Sequence, residues 1–486
     1  MILRLKFPII AILLATLGLI AFALVQIPAA SAQEPAPDAV PGEIIIAFNT
    51  DFDDSSIRAF NRQNGLTEKE DLTGKSGRHR GRTILATFNG TVSQGLLTGL
   101  NKNPNVRYAE PNYILSIDAS PNDPSYSSLW GLNNTTQTGG TSDADIDAHE
   151  AWGITTGSSS VIVGIIDTGI NYNHPDLAAN IWSNPGEIGL DVNGGNKATN
   201  GKDDDFNGYI DDIHGINAIT GTGDPMDDNS HGSHTAGTIG AVGDNGIGVA
   251  GVNWDVSIIG CKFLDANGSG STSGAIKCFQ YFNHLKNVQG YNIQVTNNSW
   301  GGGGFSQGLS DAMEGLDQPG MSPILHAAAA GNSDNDNDAS AHYPSSYALD
   351  NIIAVAATDD DDRYASFSSY GATSVDLAAP GVSILSTVLG VGYSSYSGTS
   401  MATPHVTGAA ALISAKYPNL SALQMKQVLL SNVDDISAIG GNASKTTLTG
   451  GRLNVLNVFN ALNPDPPGVI GQTGLEPPAA DRIPRD

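Results

Sequence analysis

Three short stretches carry side chains that could do chemistry together. Gly398-Thr399-Ser400-Met401-Ala402-Thr403-Pro404-His405 leads straight into an apolar, Ala-rich run, residues 406–413. Small residues before Ser400 let a backbone approach a ligand closely, and the run after it has high helix propensity. Ser400 is therefore expected at a helix N-terminus, with Pro404 in the first turn, where a missing donor costs little. Unpaired N–H groups and the positive end of the macrodipole favour negative charge there. Taken alone, Ser400 could equally be a plain helix cap. Two upstream stretches favour chemistry. Asp167-Thr168-Gly169 closes the apolar run 161–166, and His231-Gly232-Ser233-His234-Thr235-Ala236-Gly237 opens a small-residue helical segment. A serine hydroxyl is a poor nucleophile at neutral pH. It needs an imidazole to take its proton and a carboxylate to fix the imidazole's tautomer. Asp167, His231 and Ser400 supply these groups, and the chemistry they imply is acyl transfer.

The elements that must position them follow from patterning. Residues 161–166, 256–259, 293–296, 324–328 and 352–356 are continuous apolar runs. Continuous runs indicate strands buried on both faces, hence an α/β fold with a parallel sheet sandwiched by helices. In such sheets the site lies at the carboxyl ends of the strands. Upstream, strand-like residues 43–48, 83–88 and 106–110 alternate with helix-like residues 55–63 and 93–101, a small α+β domain. Its basic loop, residues 75–82, stands out from an acidic chain.

The expected organisation is a signal peptide over 1–32, a Pro-rich spacer over 33–41, the small domain over 42–118, the larger domain over 119–462, and a Pro/Gly-rich disordered tail over 463–486. The first segment has Arg4 and Lys6, an apolar stretch and Ala30-Ser31-Ala32, the grammar of an exported and cleaved signal. A retained anchor would read similarly, since the stretch approaches a spanning length. The chain of 486 residues can bury a large core. Its 23 basic against 49 acidic residues give a formal charge of −26. That balance excludes nucleic acid and anionic membranes as partners and favours divalent cations. Cys261 and Cys278 permit one disulfide in an oxidising compartment, or remain as two buried thiols.

The order Asp, His, Ser differs from that of other serine hydrolases. Asp167-Thr168-Gly169, His231-Gly232-Ser233-His234 and Gly398-Thr399-Ser400-Met401-Ala402 resemble the three signatures of the subtilisin-like serine proteases, the subtilases. The likeness spans roughly residues 125–462. It implies His231 as the base, with His234 packed behind it. It also implies an oxyanion donor, Asn332, at the end of Ala327-Ala328-Ala329-Ala330-Gly331-Asn332. Peptide would lie as an extended strand between Gly268-Ser269-Gly270 and Ser299-Trp300-Gly301-Gly302. Ala329, Ala330 and Gly331 would line the first specificity pocket, with His342 near its floor, where relatives carry a small residue.

Asp203, Asp205 and Asn207 alternate ahead of Gly208, Tyr209, Asp211 and Asp212, as in the first half of an EF-hand loop. The glutamate expected at position twelve is replaced by His214, so the expectation is a subtilase calcium loop using Asp203, Asp205, Asn207, the Tyr209 carbonyl and Asp211 or Asp212. The resemblance implies a second calcium site from Asp123, Asp176, Val242, Asn245, Ile247 and Val249, with Asn245 preferred to Asp244. It further implies that the small domain is an inhibitory propeptide whose end, residues 110–117, lies in the cleft. The combined expectation is a secreted, monomeric, calcium-stabilised serine endopeptidase made as an autoprocessed zymogen. It would act on proteins or peptides and lack stable membrane association once the signal is removed. A silent peptide-binding relative and an esterase are the alternatives.

Overall fold

The computed structural model describes residues 39–73, 81–90, 92–113, 119–316, 320–440 and 444–462. The expected signal, most of the spacer, most of the basic loop and the tail lie outside these residues, as do residues 114–117 of the segment expected in the cleft. The chain divides into two compact units, Met1–Leu115 and Ser116–Asp486.

The first unit runs β1 (Ala39–Phe48), α1 (Asp54–Gln63), β2 (Leu66–Asp71), β3 (Thr83–Phe88), α2 (Gln94–Asn101) and β4 (Val106–Tyr113). The four strands form one antiparallel sheet in the order β2-β3-β1-β4. Ile44, Ile46, Phe48, Ile57, Phe60 and Ile84 fill the core between sheet and helices. Asp53 caps α1 by accepting from Ser56 N, and Ser93 caps α2 by accepting from Leu96 N. Two features differ from the sequence pattern. β1 begins at Ala39, inside the segment read as spacer, because Ala39 pairs with Tyr113. β2, Leu-Thr-Glu-Lys-Glu-Asp, carries no apolar run, since an edge strand is protected by charge.

The second unit contains α3 (Ala148–Ala151), β5 (Gly157–Asp167), β6 (Gly215–Asn217), α4 (His231–Gly240), β7 (Asp255–Lys262), α5 (Thr272–Asn287), β8 (Ile293–Asn298), α6 (Gln307–Glu314) and β9 (Leu325–Ala329). Then follow β10 (Ile352–Thr358), β11 (Leu377–Pro380), β12 (Ile384–Thr387), β13 (Tyr393–Tyr396), α7 (Thr399–Lys416), α8 (Ala422–Ser431), β14 (Asp434–Asp435), β15 (Gly451–Arg452) and α9 (Val455–Leu462). The main sheet has the order β14-β15-β11-β10-β9-β8-β5-β7-β6, parallel except for the β14–β15 pair. β12 and β13 form a separate hairpin.

Both faces of this sheet are covered, as continuous apolar strands require. Val161, Val163 and Ile165 pack into the core with α4 and α7, while Ile162 and Ile166 face the core built on α5 and α6. Strand order reverses at β5, which pairs with β7 on one side and β8 on the other. The carboxyl ends of β5, β7, β8 and β9 therefore open at a topological switch point, where α/β sheets bind ligands. Cys261 at the end of β7 is bridged to Cys278 on α5, both fully buried. A loop of this length contributes about 3 kcal/mol, and it contains Gly268-Ser269-Gly270. No described helix is long and apolar enough to cross a membrane.

Candidate active site

Asp167 is the last residue of β5, fully buried, and its Oδ1 accepts from Thr168 N at 2.7 Å. His231 is the first residue of α4, and its Nδ1 lies 2.8 Å from the same Oδ1. A carboxylate on Nδ1 assigns the proton there, which leaves Nε2 as the acceptor. Burial alone would lower the His231 pKa. The charge and hydrogen bond of Asp167, then the charge of Asp227, outweigh it and raise the value above that of an ordinary imidazole. His234 is held differently. Its Nε2 lies 2.9 Å from Ile384 O and 3.0 Å from Ser394 O, its ring stacks on Tyr396, and burial pushes its pKa down to about 4. His234 is thus a packed, neutral histidine behind His231.

Ser400 is the second residue of α7, after Gly398 as N-cap. Its Oγ donates to Ser299 O at 2.9 Å, and Ser299 Oγ donates back to Ser400 O at 2.8 Å. Pro404 corrects the sequence expectation here. It is the sixth residue of the helix, not part of the first turn, so it removes the N–H that Ser400 O would otherwise accept. Ser299 Oγ supplies the missing donor, which is why a proline is tolerated at this depth.

Asn332 follows β9 by a short turn. Its Oδ1 accepts from Thr399 N (2.8 Å) and Thr399 Oγ1 (3.0 Å). With the oxygen occupied, the amide Nδ2 is left as a free donor. A Cβ built on Gly398 would lie 3.4 Å from that Nδ2 and 3.6 Å from Ser400 N. Two donors thus converge on one small space beside the serine, a geometry suited to an anionic oxygen.

Of the expected pocket residues, the structure brings His342 to Gly301 and Gly331. The His342 ring stands against Gly301 and Gly331, where a Cβ on either would press on it. It is half-buried, its Nδ1 lies 3.2 Å from Ser345 Oγ, and burial lowers its pKa against the opposing effect of a hydrogen bond that the ring donates to the Ala329 backbone. Ala329 and Ala330 are buried, Ser299 is buried, and Trp300 packs edge-on against Phe263. Gly268, Ser269 and Gly270 form an exposed turn, closed by the Leu264–Gly270 bridge.

Both expected cation sites can be tested against the atoms present. In the first, oxygens of Glu187, Asp203 and Asp205 lie within 4.8 Å of one another. Glu187 is fully buried; its Oε1 accepts from Asp204 N (2.7 Å) and Asp205 N (3.1 Å), while Oε2 has no partner. A buried orphan carboxylate oxygen beside two other carboxylates fits a hard cation. Asp212 is adjacent, bonded to Tyr281, Asn207 and Asn184, and burial pushes its pKa up to about 7. Asn207 turns its Nδ2 to Asp205 and Asp212 and its Oδ1 to Tyr209 N. Of the two alternatives Asp211 and Asp212, Asp211 is half-buried and its carboxylate accepts from Gly201 N. Glu187 was missed because it stands well upstream of the acidic run and carries no local pattern.

At the second site Asp176 is fully buried, with Oδ1 accepting from Asn245 Nδ2 (2.8 Å) and Oδ2 from Val249 N (2.9 Å). Asp123 Oδ2 accepts from Asp244 N (2.7 Å), and its buried Oδ1 has no partner. Burial, then repulsion from Asp176, raises the Asp123 pKa. Val242 N donates to Asp176 O and Ile247 N to Asn245 Oδ1, which holds the loop over both carboxylates. Asn245 reaches Asp176 through its side-chain amide, and Asp244 reaches Asp123 through its backbone N–H. Among the described residues, these atoms also fit a cation.

A buried carboxylate on an imidazole at the start of α4, and an alcohol with a convergent donor pair at the start of α7, which packs against α4, are the parts of a hydrolase that works through serine. Comparison with known proteins narrows the class. Residues 158–457 match the subtilase family (Peptidase_S8), and residues 25–112 match the fervidolysin N-terminal prodomain. The thermophilic serine proteinase of Bacillus sp. (strain AK1) is 32% identical over 423 residues, covering 86% of this chain and 87% of that protein. Subtilisin-like protease 1 of Plasmodium berghei is 31% identical over 453 residues, covering 86% and 70%. A crystal structure of a cold adapted subtilisin-like serine proteinase aligns with 29% identity and a TM-score of 0.48, covering 67% of this chain and 98% of that one. The chain belongs to the subtilase family and is a subtilisin-like serine endopeptidase that carries an N-terminal prodomain.

Proposed function

We propose that the protein is a secreted, calcium-stabilised endopeptidase, acting through Asp167, His231 and Ser400 and made as an autoprocessed zymogen. The observation that carries this reading is the 2.8 Å His231–Asp167 contact, with Asn332 locked by Thr399 so that its Nδ2 faces the space beside Ser400 N. On substrate binding, the Ser400 hydroxyl leaves the Ser299 carbonyl and passes its proton to His231 Nε2 as Oγ attacks the scissile carbon. The carbonyl oxygen becomes an oxyanion between Asn332 Nδ2 and Ser400 N. Collapse breaks the C–N bond, and the departing amine takes the proton from His231. Water then repeats the sequence on the acyl-enzyme, with His231 again as base, and releases the carboxylic acid.

Calcium, where bound, screens the repulsion of clustered carboxylates. Glu187, Asp203, Asp205 and Asp212 would hold one ion, and Asp123, Asp176, Asn245 and carbonyls of residues 242–249 another. Export is supported by the N-terminal pattern, and the Cys261–Cys278 bridge suits an oxidising compartment. The first unit would inhibit the enzyme until it is cut away. Substrates are proteins or peptides, with no nucleic-acid partner expected at a charge of −26.

Ser400→Ala is the test. It should abolish hydrolysis of both casein and a small ester, and should leave the precursor uncut. A variant that still processes itself and digests casein would remove Ser400 as the nucleophile. Wild-type chain that cleaves only the ester would favour the esterase reading.

A further inference from the structure

Asp227 is a buried carboxylate, 4% exposed, that the reaction above leaves without a role. It gathers five donors. Its Oδ1 accepts from Thr168 Oγ1 (2.9 Å), Asn229 N (2.9 Å) and Ser230 N (3.2 Å). Its Oδ2 accepts from Ser233 N (3.0 Å) and Ser233 Oγ (2.6 Å). Thr168 directly follows Asp167, and its hydroxyl in turn accepts from Gly232 N at 2.9 Å, one residue past His231. One carboxylate therefore joins the end of β5, which carries the acid, to the first turn of α4, which carries the imidazole.

That first turn needs an external tie. Ser230, the N-cap of α4, has φ +100°, and its side chain caps nothing. A non-glycine residue in that region persists only where its surroundings hold it. The donors left open at the start of α4 are taken instead by Asp227 (Ser233 N) and by the Thr168 hydroxyl (Gly232 N). Because His231 is the first helical residue, any rotation of this turn swings its ring off Asp167.

We propose, resting on the assignment of His231 as the base, that Asp227 is a positioning residue that clamps the first turn of α4 to Thr168 and adds its negative charge behind the imidazole. The charges around His231 agree. Asp167 acts on it first and Asp227 second, while His234 behind it stays neutral. Lys262, the last residue of β7 and paired with Asp167 in the sheet, donates from Nζ to Thr168 O (2.8 Å), Leu264 O (2.8 Å) and Asp228 Oδ1 (2.6 Å), so its charge is matched by Asp228.

Asp227→Asn keeps the shape and removes the charge and one acceptor. In a Ser400→Ala background, the titration of the His231 ring proton by NMR should shift down by roughly half a unit or more. In the otherwise wild-type enzyme, kcat should fall about 10- to 100-fold with KM within about twofold, the cost of a misplaced base. Thr168→Val removes the hydroxyl relay without changing charge and should lower kcat, whereas Thr168→Ser should restore it. If Asp227→Asn does not fold, the Thr168 pair carries the test. A folded Asp227→Asn enzyme with unchanged His231 titration and kcat would overturn the proposal, as would equal kcat for Thr168→Val and Thr168→Ser. The NMR arm needs no turnover, so absence of proteolysis in the wild type would count against the proposed function and not against the clamp.

Discussion

Replacing Asn332 by alanine tests the oxyanion geometry most directly. Its amide makes two contacts to Thr399, which aim it, and offers one free donor, which is the group the reaction would use. Losing one such donor costs about 10²–10³ in kcat, or about 2.7–4 kcal/mol of transition-state stabilisation. Ground-state binding of the extended peptide does not involve this amide, so KM should stay within about twofold. Thr399 N would then lack an acceptor, which adds a small stability cost of about 1 kcal/mol. A second variant separates the two effects. Gly398→Ala places a methyl 3.4 Å from Asn332 Nδ2 and 3.6 Å from Ser400 N, ordinary contact distances, on an extended backbone (φ 161°) that any residue adopts. It should leave the melting temperature nearly unchanged and still suppress kcat by occupying the oxyanion space. Steady-state kinetics on a chromogenic peptide, with a thermal melt of each variant, give both readouts. A fall in kcat below tenfold for Asn332→Ala, or a proportional rise in KM at constant kcat, would refute the convergent-donor reading.

Two further outcomes follow from the electrostatics and the acidic loops. Because Asp167 and Asp227 raise the His231 pKa and only the neutral ring can accept a proton, kcat/KM should rise with pH through a midpoint above about 6.5, the ordinary imidazole value. By the same linkage, His231 contributes stability that is present below about 6.5 and is lost as pH rises through its folded value. A pH–rate profile with its acid limb below 6 would contradict this. Excess chelator should lower the melting temperature, since an ion at a hundredfold excess over its Kd adds about 2.7 kcal/mol. Asp176→Asn should remove part of that response, and a melt indifferent to chelator would dismiss both calcium sites.

Much of the site was legible because its parts are contiguous words. Asp167, His231 and Ser400 each stand at the boundary of a run whose type is plain from composition, and chain order supplied the rest. Strands buried on both faces announce themselves by unbroken apolar runs, hence β5, β7, β8, β9 and β10. The charged edge strand β2 was silent for the opposite reason: what protects an edge also erases its hydrophobic signal. Glu187 and Asp227 were silent because nothing in their immediate neighbours distinguishes a carboxylate that will be buried and shared from one that will be solvated.

By itself the sequence determined the kind of sheet, and it pointed to the candidate reacting groups and to acidic loops that could take a cation, since each depends on local composition and spacing. Tertiary structure alone decided three things: that Ser299 replaces the helical donor missing at Pro404, that Glu187 joins Asp203 and Asp205, and that His342 stands against Gly301 and Gly331. Each is a meeting of residues far apart in the chain, set by strand register and by the path of turns, which no single stretch encodes.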